Sequence, residues 1–539
     1  MTNQYDAVIL GGGHNGLVCA AYLARAGMRT AVLERRHAVG GASFSDEVFP
    51  GFTFSVFSYG LQHLYPQIID DLELRKFGLK AVPYGDLFSP TEDGRCLITN
   101  DDVAATAKNI AQFSTRDAEV YPKFVDFHNG LATYMRHLST EVPPDPTAST
   151  FRDVTRTLAF SWRNFGLRTK MFDFVELMTQ SADEYLSHWF ENDAVRALFA
   201  YQAGIGNFVG PHSRGSALAC LYNMLTDHSY EVVRGHVIGG MGTVSKALAA
   251  SAQRLGVDIH TNAEVEQVIV DGDEVKCIAT KDGREYRTGI VASSMHSKIL
   301  FGKVIDRKHL PDDLVQSLEK FNTVGTNWKI NVACNRPPQL KCLGSDAGSP
   351  VPVFVHIGPT IDYLEKAYDD AKYGNFAQVP WMTVATPTHL DTSMAPEGKH
   401  VVNLYGGHVP YKLREGDWSS RRSEFVQTVW KVLDEFVPGF TNEIIDYQVL
   451  LPTDIESILN IPGGNILHGQ MTPDQLFSRR PYPHYADYRT PIKGLYQCGA
   501  SCHPGGGVSG LPGFNAVREI LRDRGKKLSR SRHSVAATK

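Results

Sequence analysis

Near the start of the chain, Gly11-Gly12-Gly13-His14-Asn15-Gly16 and the more distant Glu34 have the types and spacing to hold a dinucleotide. Gly11 makes a tight turn, Gly13 lets the backbone approach a pyrophosphate, and Gly16 lets a helix pack close to the preceding strand. The helix then offers unpaired N–H groups and a positive dipole end to the phosphates, with His14 and Asn15 in its first turn. Glu34 follows a second short apolar run, where a carboxylate can accept both ribose hydroxyls. The elements that must position this set are legible beside it. They are an apolar strand over 7–10, a small-residue helix ending at Gly27, and a strand over 30–33. A glycine-rich turn between ordinary elements would leave Glu34 unexplained.

The next residues, Arg35-Arg36-His37-Ala38-Val39-Gly40-Gly41-Ala42-Ser43, select among dinucleotides. A glycine pair just after an acid-tipped strand resembles the second fingerprint of FAD enzymes, where the loop passes close to the diphosphate and ribitol. Arg35 hints at a 2′-phosphate, but the acid at position 34 disfavours one. The expected cofactor is FAD, with Arg35, Gly40, Gly41, Ala42 and Ser43 in its site.

A second glycine-dense stretch lies at the other end of the chain, from Gly494 to Asn515. It reads as a strand over 495–498, a loop from Gly499 to Gly513, and a helix opening at Ala516. Gly499, Ala500, His503, Gly507 and Val508 fall in that loop, a backbone concavity suited to a phosphate or a flavin ring. Mid-chain, Gly239-Gly240-Met241-Gly242 precedes a third helix. An alternating stretch from Gly256 to Val268 then leads into a hairpin turning at Asp271-Gly272.

These three blocks together resemble the phytoene desaturase-like branch of the FAD-dependent amine oxidase superfamily, over about residues 5–522. Within that branch the chain is similar to the pyridine nucleotide-disulfide oxidoreductase domain-containing protein 2 group, and next to desaturase-like carotene ketolases. His503-Pro504-Gly505-Gly506-Gly507-Val508 and Met471-Thr472-Pro473-Asp474-Gln475-Leu476-Phe477, followed by Arg480-Pro481, add to the resemblance. No cysteine pair follows the first cradle, so the disulfide in that group's name has no counterpart here. The resemblance implies an α/β fold: a split Rossmann-type FAD-binding domain with an interleaved α+β substrate domain. The expected division assigns 1–75, 231–300 and 481–525 to the FAD domain and 76–230 and 301–480 to the substrate domain. By pattern, 76–230 is mostly helical, with a Ser181/Glu184 capping box, and 301–480 holds strands over 328–334 and 351–356 and a helix over 418–436. Residues 526–539 then form a disordered basic tail.

The resemblance also implies roles. Val265 would touch adenine through its backbone. Lys329 matches the strand whose lysine contacts the flavin through water, although a surface lysine on an alternating strand reads equally well. His503 is expected beside the ring as a proton shuttle, or else as a loop histidine capping backbone groups. His63 and His468 are weaker candidates. Two places depart from the pattern. Ala500 stands where many FAD enzymes carry Asp, leaving backbone donors to hold the ribitol, and Ala42 stands where amine oxidases often carry Arg. The implied activity is removal of hydride from a C–C or C–N bond of a hydrophobic substrate. The alternatives are a carotenoid desaturase or ketolase, and a flavin-bound interaction protein with little catalysis.

The chain as a whole agrees with this. Its 539 residues are 42% hydrophobic and 21% charged, an ordinary globular balance with ample core. A net charge of −4 and pI ≈ 6.6 give no basic signal for nucleic acid. No apolar run is long enough to span a membrane. The eight cysteines are scattered, without CxxC or zinc spacing, which fits reduced thiols, a cytoplasmic setting and no metal. The stretch 151–172 interleaves Arg152, Arg156, Arg163, Arg168 and Lys170 with aromatic residues. It reads first as a core-packing helix pair with a solvated basic edge, and second as a peripheral membrane contact. Oligomeric state is left open.

Overall fold

The computed structural model describes residues 3–145, 147, 151–224, 235–344 and 351–528; the side chains of 151–153 and 167–168 lie outside that description, as does the basic tail from 529. Five short segments make one parallel sheet, in the order Asp258–His260, Thr30–Leu33, Ala7–Leu10, Val291–Ser293, Leu495–Gln497. Successive side chains point to opposite faces and both faces are covered, so four of the segments are buried throughout, whereas the edge strand Asp258–His260 is partly exposed. Ala7, Ile9, Val32 and Ala292 enter a core with the helices His14–Arg25, Gly242–Arg254 and Leu511–Asp523. Val8, Leu10, Ala31, Leu33 and Val291 enter another, with an antiparallel meander over Val265–Asp271, Glu274–Thr280 and Glu285–Arg287. Three sequence-distant segments thus close one α/β layer. The meander's first turn centres on Gly272-Asp273, because Asp271 already pairs with Glu274.

A second, seven-stranded sheet runs Ile444–Leu450, Trp328–Cys334, His400–Gly406, Met382–Ala385, Phe354–Ile357, Leu87–Pro90, Cys96–Thr99. Trp328, Ile330 and Val332 pack against Phe425, Val429 and Leu433 of the long helix Trp418–Phe436. The alternate residues Lys329, Asn331 and Ala333 face the hairpin Ser45–Phe49/Phe52–Ser55, where Ala333 meets Phe52 and Phe54. Helices between 103 and 224 form the remaining layer. One of them, Ala182–Ser187, opens on the capping box that Ser181 and Glu184 announce in the sequence.

Residues 76–230 are mostly helical, as expected, while Ala81–Pro83, Leu87–Pro90 and Cys96–Thr99 are strands that tie this segment to two sheets. Two expectations are corrected. The strand expected over 351–356 starts at Phe354, past Pro352, which has no N–H to give a ladder. The C-terminal helix begins at Leu511 rather than Ala516, with Gly510 at its N-cap and Pro512 in its first turn.

Candidate functional site

A cleft of about 270 Å³ opens where the first helix starts, and its lining joins Gly11, Gly13, His14, Asn15, Glu34, Arg35, Gly41, Ala42, Val265 and Ala500. Ten expected site residues from four segments therefore meet in one place. The glycines divide by what a side chain would meet. A Cβ on Gly13 would find nothing within 4 Å, whereas one on Gly16 would lie 2.1 Å from the Gly11 carbonyl oxygen. Gly13 leaves room for a ligand, and Gly16 lets helix and strand touch. The two glycine turns are locked together, since the Gly40 amide donates to the Gly12 carbonyl at 2.9 Å.

Glu34 is buried at the tip of its strand. One carboxylate oxygen accepts from the Gly12 amide at 2.7 Å and the other from the Arg36 amide at 2.9 Å. The Arg35 guanidinium turns to the Ile458 carbonyl. Arg36, which sequence reasoning passed over, lines the cleft with its guanidinium 4.3 Å from the Phe44 ring and Nη1 buried without a partner. Burial lowers its pKa. His14 is likewise buried with neither ring nitrogen bonded, beside the Gly507 main chain, and burial brings its pKa down to about 4.

Six expected residues support the lining instead of forming it. Gly16 and Gly40 pack as described. The Ser43 hydroxyl donates to the Met241 carbonyl at 2.8 Å, fixing the second glycine turn to the mid-chain motif. Gly499 passes under Ser294, whose carbonyl oxygen would sit 2.5 Å from a Cβ there. Gly507 lies against His63, and Val508 joins the helical core. Ser294 and His296, also missed, line the cleft. They follow the strand Val291–Ser293 in a loop that carries no glycine signature.

Neither expected catalytic residue reaches this lining. His503 is buried with Nε2 3.0 Å from the Leu138 carbonyl, and burial lowers its pKa to about 4. Its imidazole therefore secures a helix end, the capping alternative. Lys329 is no surface lysine: it is 3% exposed, and Nζ donates to the Ser55 and Val56 carbonyls. Burial holds its pKa well below the ordinary value, with no carboxylate contributing. Around it the sheet face carries Tyr59, Tyr405, Thr383 and Asn331. The Tyr59 hydroxyl lies 2.9 Å from Thr383 Oγ1, and the buried Tyr405 hydroxyl has no hydrogen-bond partner.

The segment 151–172 departs from the core-packing expectation. Trp162 is 84% exposed and Phe172 78%, with Leu158 and Phe165 also open to solvent. Its described basic residues turn back to the protein. Arg163 pairs with Glu141 at 2.7 Å, and Arg156 with Asp487 and Glu519. All eight cysteines are free thiols. Among the described residues no cluster could hold a metal, and no helix is long and apolar enough to cross a membrane.

The glycine cradle, the open space at Gly13 and the acid-tipped strand fit a dinucleotide such as FAD. Comparison with known proteins agrees. The family model "Flavin containing amine oxidoreductase" matches residues 16–518. Pyridine nucleotide-disulfide oxidoreductase domain-containing protein 2 of Rattus norvegicus is 36% identical, over 96% of this chain and 94% of its own. A limonene dehydrogenase polypeptide of Castellaniella defragrans is 26% identical, over 97% and 95%. Among solved structures, an oxidoreductase from Methanosarcina mazei shares the fold with TM-score 0.60 at 16% identity, over 96% and 99%.

Proposed function

The chain belongs to the flavin-containing amine oxidoreductase family and is an FAD-dependent oxidoreductase; from that premise we propose that it removes hydride from a C–C or C–N bond of a hydrophobic substrate. The observation that carries the reading is the buried sheet face around Lys329. There Tyr59 lies 5.7 Å from Tyr405 and 6.4 Å from Phe354, and Phe354 in turn stacks on Tyr84 at 5.1 Å. Such a wall accommodates an apolar body and offers few charged groups to bind a polar one. Limonene, in the name of one relative, is a hydrocarbon.

FAD supplies acceptance of two electrons and a proton from the substrate. The chain's own part is to hold the cofactor in the cleft, exclude water, and keep the Lys329 amine desolvated, with its pKa lowered by burial, so that it can pass a proton. The exposed Leu158, Trp162, Phe165 and Phe172 suit collection of a lipophilic substrate at a lipid surface.

The test is an anaerobic screen of flavin bleaching across carotenoids, polyamines and fatty acyl compounds. Bleaching by a carotenoid or other isoprenoid supports the reading and its desaturase form. Bleaching by polyamines alone overturns the hydrophobic substrate. No bleaching, with a partner protein co-purifying, favours an interaction role.

A further inference from the structure

Beyond the glycine cradle, the cleft is lined by two more imidazoles, each with a buried ring nitrogen that has no hydrogen-bond partner. His296 is 2% exposed, and its Nδ1 accepts from the Lys298 amide at 3.1 Å. That contact places the hydrogen of the neutral ring on Nε2, a donor with no partner. The ring stacks on His468 at 5.6 Å and 24°, and the His468 main chain lies beside it outside hydrogen-bond geometry. His468 Nδ1 is also buried and unpartnered. Both rings share the cleft lining with His14, at the start of the first helix.

Behind this wall Arg480 is fully buried. It donates to the carbonyls of Gln470 at 3.2 Å, Leu467 at 2.7 Å and Ala500 at 3.0 Å, while its Nε has no partner. Among the described residues no carboxylate pairs with it. A buried cation answered only by carbonyls is costly, and an anion in the adjoining space would offset that cost. The other charged groups of the lining are Lys303 on the His296 side and Glu34, Arg35, Arg36, Glu264, Glu266 and Lys281 toward Val265. Lys298 lies close to His296, and Tyr222 and Cys502 close to Arg480.

We propose that His296 and His468, backed by Arg480, form a second half of the FAD diphosphate site, completing the helix N-terminus at His14, and that FAD binds with uptake of a proton on this histidine cluster. Before an anion arrives the rings are uncharged at neutral pH. Burial, with Arg480 nearby, lowers His468 to about 3, burial lowers His14 to about 4, and burial with His468 and Lys298 nearby lowers His296. A dianion beside them raises those values. Protons are then taken up on binding, and affinity increases as pH falls toward the bound-state pKa.

The inference rests on the FAD assignment, whose failure would be distinct: protein colourless at every pH. The test is equilibrium dialysis of dilute holoenzyme between pH 8.5 and 6.5, with riboflavin, which lacks the diphosphate, as a second probe. FAD is expected to bind up to about tenfold tighter per pH unit for one proton taken up, with riboflavin unchanged. His468→Asn tolerates the left-handed backbone there (φ 58). It and His296→Asn should flatten the FAD slope and weaken FAD at pH 6.5 more than at 8.5. An FAD affinity independent of pH in the parent protein overturns the proposal, as does a slope that both variants retain.

Discussion

Glu34 receives the Gly12 amide on one carboxylate oxygen at 2.7 Å, so the acid that the sequence marks for ribose also ties its strand to the glycine turn. The other oxygen holds the Arg36 amide at 2.9 Å. Removing the side chain should therefore act twice. Glu34→Ala is expected to lower stability by about 1–3 kcal/mol, the cost of unpaired buried amides, and to lower FAD content sharply. Glu34→Gln can still accept from Gly12, and should keep most of the stability while losing FAD. Thermal unfolding and the flavin-to-protein absorbance ratio separate the two effects.

Gly13 and Gly16 should fail in opposite ways. The space beside Gly13 is open and the space beside Gly16 is filled by the Gly11 carbonyl. Gly13→Val is expected to leave the melting temperature of FAD-free protein unchanged and to cut FAD retention by about tenfold or more, roughly 1.4 kcal/mol or above. Gly16→Ala forces helix and strand apart, and should cost about 1–3 kcal/mol in the FAD-free protein itself. Equal melting temperatures for the two variants would remove the distinction.

Local pattern reached the cradle because each part is contiguous: a strand, a turn needing glycine, a helix and an acid. It also reached the strand Trp328–Cys334 and the helix Trp418–Phe436, both set by periodicity. It failed where position depends on distant contacts. His503 lies in the right loop, yet its ring turns to Leu138, on a helix 365 residues away in sequence. Arg36 carries no motif although it adjoins the cradle, and only the closing of the parallel sheet brings Ser294 and His296 to the cleft. Leu158, Trp162 and Phe172 read as core because amphipathic spacing reports a face and not what covers it.

That exposed face gives a further expectation. Its described arginines are already paired, so adsorption to lipid would draw on apolar burial more than on charge. Phosphatidylcholine vesicles should retain the protein in flotation assays, with little loss at high salt. Trp162→Ser with Phe172→Ser should reduce the bound fraction by about tenfold or more while leaving the melting temperature unchanged, since both side chains are open to solvent. Binding that the double variant retains would assign this face another role.

Lys329 offers the sharpest pH signature. In the unfolded chain a lysine binds its proton below about 10.4. In the folded chain burial holds that pKa well below the ordinary value. The unfolded state therefore binds more protons between the two values, and folding loses up to about 1.4 kcal/mol for each pH unit below 10.4 until the folded pKa is reached. Lys329→Met removes this penalty but leaves the Ser55 and Val56 carbonyls without their donor, a cost that does not vary with pH. Relative to the parent, the variant should therefore gain stability as pH is lowered from 10 to 7.5. The same variant should slow flavin reoxidation by oxygen while FAD stays bound, as the role proposed for this amine requires. A stability difference that does not change with pH would mean that Lys329 is charged in the folded protein, and an unchanged reoxidation rate would remove it from the reaction.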